Sequence, residues 1–254
     1  MDGYSNGFRT LERAFSILLS FDWNTQKLSL TDISKRISLP KSTTFRFLST
    51  LEKDGFLIKN EDNTYTLGHT LYYLGTLAKE SFGLRKAAYP VMQRLQEKYN
   101  ETVSLYIMED LQRVCYERIE STHRLRGIPQ LGGKSPLWSG ACGKAILAFV
   151  DEDHFLKVAG GIERLTDKTI VAIDELKKQL EEIRKSKISF SFDETEMGIS
   201  AVASPVFDAS NNIIGSISMA GPSVRFTRDF VYSVQNCVFE TAKEVSFNSG
   251  CRNY

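Results

Sequence analysis

Lys35, Arg36, Lys41 and Arg46 fall in a stretch that holds no carboxylate between Asp32 and Glu52. Such a window meets a polyanion without local repulsion, and phosphate contact is its natural use. A different chemistry belongs to Ser139-Gly140-Ala141-Cys142, which leads into a helical pattern carrying Lys144 and Ala145. Free backbone N–H groups at a helix start form a seat for a carboxylate. The same position lowers a thiol pKa, so Cys142 is also a candidate nucleophile. Only His69, His123 and His154 are present to act as its base, and none has a paired acid in its local sequence. An enzyme acting through Cys142 is thus the alternative of another class. Gly132-Gly133-Lys134-Ser135 looks like the end of a phosphate-binding loop, but the first glycine would have to stand at Ile128. Cys115, Cys142, Cys237 and Cys251 are too widely spaced for a CxxC-type metal site. No metal or other cofactor is expected.

The elements that position these residues are legible from periodicity. Ser29-Leu30-Thr31-Asp32 matches the capping-box start of a helix, with Ile33 and Ile37 on one face. Leu39-Pro40-Lys41-Ser42 opens a second helix, with Pro40 suited to the first helical position. Along it Thr44, Phe47, Leu48 and Leu51 face inward and Ser42, Arg46, Ser49 and Lys53 outward, until Gly55 stops it. Phe56-Leu57-Ile58 and Tyr65-Thr66-Leu67 flank the turn-rich Asn60-Glu61-Asp62-Asn63. Helix, helix and hairpin in this order make a winged helix-turn-helix. In that motif the N-terminal part of the second helix enters the major groove, which places Lys41, Ser42, Thr43, Phe45 and Arg46 to meet double-stranded DNA, with Arg36 beside them. Arg46 suits either a guanine or a phosphate.

Residues 69–82 continue as a helical pattern, and Gly83 marks its expected end. A further helix over 84–99 makes the connection stiff. Strand patterns follow at 103–108 and 114–119, helices at 141–150, 152–158 and 173–185, strands at 188–192, 199–207 and 213–220, and a final helix at 229–246. The helix at 173–185 is expected to bury Ile173, Leu176, Leu180 and Ile183. This order implies an α+β domain with a largely antiparallel sheet. With 254 residues and a net charge of +1, the chain is long enough for two domains and has no general affinity for nucleic acid. The polar residues 1–9 show no apolar signal region, and no run of about 18 apolar residues exists. A cytoplasmic protein without a membrane partner is expected.

Five blocks in order, Leu39-Pro40-Lys41-Ser42-Thr43, Leu51-Glu52-Lys53-Asp54-Gly55-Phe56-Leu57, Tyr65-Thr66-Leu67-Gly68, Gly143-Lys144-Ala145 after Pro136-Leu137, and Ser204-Pro205-Val206-Phe207-Asp208, resemble the IclR-type bacterial transcriptional regulators. The resemblance implies a winged helix-turn-helix over 1–68, a linker helix over 69–83 and a GAF-like effector-binding domain over 84–254. It implies a homodimer or a dimer of dimers at operators of catabolic genes. It also adds Asp193, Ala201, Ser218 and Ala220 to the pocket begun by Ser139, Gly140, Ala141 and Cys142, with Trp138 at the entrance. Ala201 and Ala220 stand where relatives often have polar or sulfur-bearing side chains, so the expected effector is an aromatic or longer-chain acid. The bland alternative makes Ser139 a helix cap, Asp193 a surface acid, Ser218 a backbone-bonded hydroxyl and Trp138 a core aromatic. The expected function is a ligand-responsive regulator, either a repressor of a catabolic operon or an activator of the same fold.

Overall fold

A computed structural model describes residues 5–22, 24–81 and 83–254. Residues 1–4, within the polar N-terminal stretch, and Phe82, at the end of the expected linker helix, lie outside the described residues. Contacts divide the chain into two compact units, Met1–Ser81 and Phe82–Tyr254.

The first unit contains α1 (Ser5–Leu18), β1 (Leu28–Ser29), α2 (Leu30–Arg36), α3 (Lys41–Lys53), β2 (Leu57–Lys59), β3 (Thr64–Leu67) and α4 (His69–Ser81). The capping box forms as the sequence requires. Ser29 Oγ accepts from the Asp32 amide at 3.2 Å, and the Ser29 amide donates to Asp32 Oδ2 at 3.1 Å. The Ser29 hydroxyl also donates to Asp32 Oδ2 at 2.6 Å, and this bond, followed by that from the Ser29 amide, holds the Asp32 carboxyl below its usual pKa. Pro40 stands one residue earlier than expected, at the N-cap of α3. Thr44 and Leu48 are the buried residues of α3, and Thr44 Oγ1 bonds back to the Pro40 carbonyl at 3.1 Å. β2 and β3 form the antiparallel wing, with Asn63 at φ 58° in its turn. Two elements were not foreseen. β1 extends the wing to three strands in the order β1-β3-β2, and α1 supplies Ile17 to a core of Phe21, Leu28, Ile33, Leu48, Leu57 and Tyr65.

The second unit contains α5 (Gly83–Tyr99), β4 (Thr102–Glu109), β5 (Gln112–Ile119), β6 (Lys134–Pro136), α6 (Gly140–Leu147), α7 (Glu152–Ala159), α8 (Ile173–Ser186), β7 (Ser189–Phe192), β8 (Ile199–Phe207), β9 (Ile213–Pro222) and α9 (Arg228–Asn248). Its sheet runs β6-β5-β4-β9-β8-β7 with every pairing antiparallel. On one face Val103, Leu105, Val202, Val206, Ile217 and Met219 pack on α5 and on the Val231, Val234, Val238, Ala242 and Val245 stripe of α9. The opposite face carries α6. Beyond it, α6, α7 and α8 share a second apolar core that includes Ile146, Phe155, Leu176, Leu180 and Ile183. Ile173 is a correction: it opens α8 but is 45% exposed, because the first residue of the helix overhangs the core that Leu176 reaches. β6 is a further element that the strand patterns did not give. The Gly132–Ser135 segment, with its resemblance to a phosphate-binding loop, turns into an edge strand paired with β5.

Candidate functional site

In the first unit, Lys41, Ser42, Phe45 and Arg46 are exposed along one side of α3, and Thr43 is half-buried. Phe45 is 50% exposed, a large apolar ring that a self-contained helix would turn inward. Thr43 and Arg46 line a cleft of about 330 Å³ together with Thr10 and Arg13 of α1. The helix that periodicity did not foresee therefore adds a second arginine beside Arg46. Arg36 is differently placed. Its guanidinium donates to the Ser20 carbonyl at 2.7 Å and to Thr25 Oγ1 at 3.2 Å, and it lies 3.8 Å from Asp22. The structure thus separates Arg36, tied to its own domain, from Lys41 and Arg46 on α3, which form no ion pair among the described residues.

In the second unit, alternation decides which strand residues meet α6. Ser104 of β4 lies opposite Ser218 of β9, Ser218 opposite Ala203 of β8, and Ala203 opposite Ser189 of β7. The adjacent rung runs Thr102, Ala220, Ala201, Ser191. Both rungs carry small or hydroxyl-bearing side chains only, which lets α6 approach through Ala141, Cys142 and Ala145. Ser216 Oγ donates to the Cys142 carbonyl at 3.1 Å and fixes that approach.

Ala141, Cys142 and Ala201 are therefore brought together, Ser218 and Ala220 share the sheet face that α6 covers, and Ser139 and Gly140 open that helix. Ser139 is the N-cap of α6, yet its hydroxyl makes no cap hydrogen bond and is buried without a partner. Gly140 sits at φ +76°, where a Cβ would lie 2.9 Å from Thr195 Cγ2 and 3.3 Å from Arg113 Nη2. Asp193 closes the turn between β7 and β8. Its Oδ1 accepts from the Gly198 amide and the Ser223 hydroxyl, both at 2.8 Å, so that atom already has partners. Trp138, expected at the pocket entrance, is 5% exposed and packs in the α6–α8 core with Leu137, Ile146 and Phe155.

Periodicity missed three charged groups. Lys144 is 1% exposed, and its Nζ donates to Glu194 Oε1 at 2.7 Å and Gln179 Oε1 at 2.8 Å. Burial pushes its pKa down, with Glu194 pulling the other way. The sequence clue was the lysine in an otherwise apolar Ala-Cys-Gly-Lys-Ala-Ile-Leu helix. Arg113 is the third group. The alternation from Val114 onward leaves it outside the expected strand, but β5 begins at Gln112 and turns Arg113 inward, 6% exposed. Its Nη1 donates to the Pro136 carbonyl and, at 2.7 Å, to the Ser139 carbonyl, and the guanidinium stands 5.7 Å from the Tyr106 ring centre. Gly143 is required beneath it, since a Cβ there would meet Nη1 at 2.7 Å.

Burial raises the Cys115 thiol to about 12 and the Tyr106 hydroxyl well above its usual value, so both stay protonated on this face. Among the described residues no group of His, Cys, Asp and Glu has the arrangement of a metal site, and no helix is long and apolar enough to cross a membrane.

Comparison with known proteins adds an independent line. Residues 10–61 match the IclR helix-turn-helix domain, and residues 76–247 match the C-terminal domain of IclR bacterial transcriptional regulators. The transcriptional repressor IclR of Escherichia coli K12 is 29% identical over 95% of this chain and 90% of its own length. The crystal structure of the Thermotoga maritima IclR is 28% identical, covers 96% of this chain and 99% of that one, and superposes with a TM-score of 0.77. An IclR homologue from Microbacterium hydrocarbonoxydans, solved with 4-hydroxybenzoate, shares the fold at 21% identity over 94% of this chain and 98% of that one, with a TM-score of 0.84. The helix-turn-helix with its exposed bases, the α+β domain that follows it in sequence and the two domain matches converge on one conclusion: this chain belongs to the IclR family of DNA-binding transcriptional regulators.

Proposed function

We propose that the protein is a repressor of a catabolic operon, released from or re-set on its operator by an organic acid held under α6. The observation that carries this reading is the start of α6, where the backbone amides and the buried, unpartnered Ser139 hydroxyl face a floor of small residues. The half-buried Ala201 and Ala220, paired across β8 and β9, leave that floor less polar than hydroxyls would, which favours an aromatic acid. The 4-hydroxybenzoate complex of the M. hydrocarbonoxydans homologue and the repressor role of the E. coli relative support the same choice.

Lys41, Ser42, Thr43, Phe45 and Arg46 of α3 contact the operator, and Arg36 orients the loop behind them. The working unit is a homodimer or a dimer of dimers: α4, the linker, exposes Tyr72, Tyr73, Leu74 and Leu77, a face that a second copy would cover. Two α3 helices then read half-sites about one helical turn, or a multiple of it, apart. Effector changes DNA affinity only by binding one arrangement of the dimer better than the other. The protein acts in the cytoplasm.

The test is fluorescence anisotropy against the DNA upstream of the gene, at two salt concentrations, with aliphatic and aromatic acids. Salt-sensitive binding that one aromatic acid alters supports the reading. Arg46→Ala then weakens operator binding by about 1–3 kcal/mol if it contacts a base, whereas Lys41→Ala flattens the salt dependence. Parent-like binding by both variants removes α3 from the interface.

A further inference from the structure

Arg113 is the least explained charge in the molecule. A guanidinium has five N–H donors in a planar fork, and desolvating it without an acidic partner is costly. At 6% exposure Arg113 has lost nearly all contact with water, yet among the described residues it forms no ion pair. Its neighbour Lys144 is matched by Glu194. The α6 side of the sheet therefore holds two buried cations against one buried carboxylate, which leaves one positive charge without a counter-charge.

The hydrogen bonds show which part of the fork is free. Nη1 is occupied by the carbonyls of Pro136 and Ser139. Nε is buried and makes no hydrogen bond, and no hydrogen bond is made by Nη2 among the described residues. Nε–H and one Nη2–H point the same way along the outer edge of the guanidinium, the edge that pairs with both oxygens of a carboxylate. Beside this edge stands Gly140, where a Cβ would lie 3.3 Å from Nη2, and the next residue back, Ser139, has a buried hydroxyl with no partner among the described residues. Two residues with orphaned polar atoms, each more than nine-tenths buried, are thus joined at the N-terminus of α6 by the bond from Arg113 Nη1 to the Ser139 carbonyl.

We infer that the Nε–Nη2 edge of Arg113 is the charge partner of the effector's carboxylate, so that this pocket discriminates acids from their neutral analogues. The inference rests on the acid-sensing reading above and assigns its specificity to a residue outside the expected pocket. The bonds from Nη1 to Pro136 and Ser139 hold the fork in place before ligand arrives, so little side-chain freedom is lost on binding.

The experiment uses the full-length protein and measures binding of benzoate, 4-hydroxybenzoate, phenylacetate and pyruvate by calorimetry, each beside its neutral amide. In the parent, an acid binds and its amide binds at least about tenfold more weakly, the loss of a charge-assisted pair. Arg113→Gln removes that preference, bringing acid and amide to similar affinity. Arg113→Lys keeps the charge without the fork and falls between the two. A merely structural role, in which Arg113 only braces the loop before α6, weakens acid and amide alike and leaves their ratio unchanged, which overturns the inference. So does parent-like acid affinity in Arg113→Gln. If Arg113→Gln does not fold, as judged by circular dichroism, the Arg113→Lys ratio decides by itself. If the parent binds none of the acids, the acid-sensing reading fails and takes the inference with it, whereas acid binding with an Arg113-independent ratio sinks the inference alone.

Discussion

The two faces of the large sheet are built from the same strands, and often from neighbouring residues, but they do opposite work. Ile217 and Met219 of β9 enter the α5/α9 core with 0% exposure, while the alternating Ser216 and Ser218 turn to α6. The first face is built of branched and long apolar chains, the second chiefly of Ser, Ala and Thr with Tyr106, Cys115 and the buried Arg113, under a helix that carries the buried Lys144. The difference teaches where this fold keeps its stability and where it keeps its chemistry. Area removed from water holds the α5/α9 side, and the α6 side gives up that contribution to keep polar groups in reach of a ligand.

The largest test of this division is Lys144→Met, which leaves Glu194 buried without its cation and costs about 3–5 kcal/mol. Urea unfolding measures it, and the double variant with Glu194→Leu recovers most of the loss; failure to recover would mean the pair is not an isolated unit. Ile217→Ala on the apolar face costs about 2–5 kcal/mol by the same measurement. A loss well under that range would erase the contrast between the faces.

An alkaline titration sharpens the comparison further. The Cys115 thiol lies at about 12 in the fold against 9.0 when free, so the unfolded chain releases this proton first. Stability from this group is complete below about pH 9 and is lost as pH rises towards 12. The Cys115→Ala variant has a flatter stability profile across that window, and identical profiles would show that burial does not hold the thiol neutral. The smallest effect on stability belongs to Ser218→Ala, a change below about 1 kcal/mol, although acid binding weakens. Were it as destabilising as Ile217→Ala one residue away, the α6 face would be core and not site.

Much of both units was legible because their signals are local. A hydroxyl and a carboxylate three residues apart at Ser29 and Asp32 announce α2, and the acid-free window isolates the bases of α3. The five-block resemblance carried the family, which the domain matches bear out. The pocket was legible only where it coincides with a helix start, at Ser139 to Cys142. Arg113 escaped because it lies one residue before the alternating run, and the burial of Trp138 was not legible because adjacency in sequence does not say which side of a helix N-terminus is core. α1 went unread, yet it brings Arg13 beside Arg46.

By itself the sequence determined the helix caps, the alternation of the strands, the basic face of α3 and the family, since each depends on residues within a few positions of one another. The tertiary structure alone decided that Arg113, Ser139 and Gly140 converge and that Lys144 meets Glu194. Those groups are 26 to 50 residues apart along the chain. Only the register of the sheet and the packing of α6 upon it bring them within hydrogen-bond distance, and only burial there turns an ordinary arginine into a charge in need of a partner.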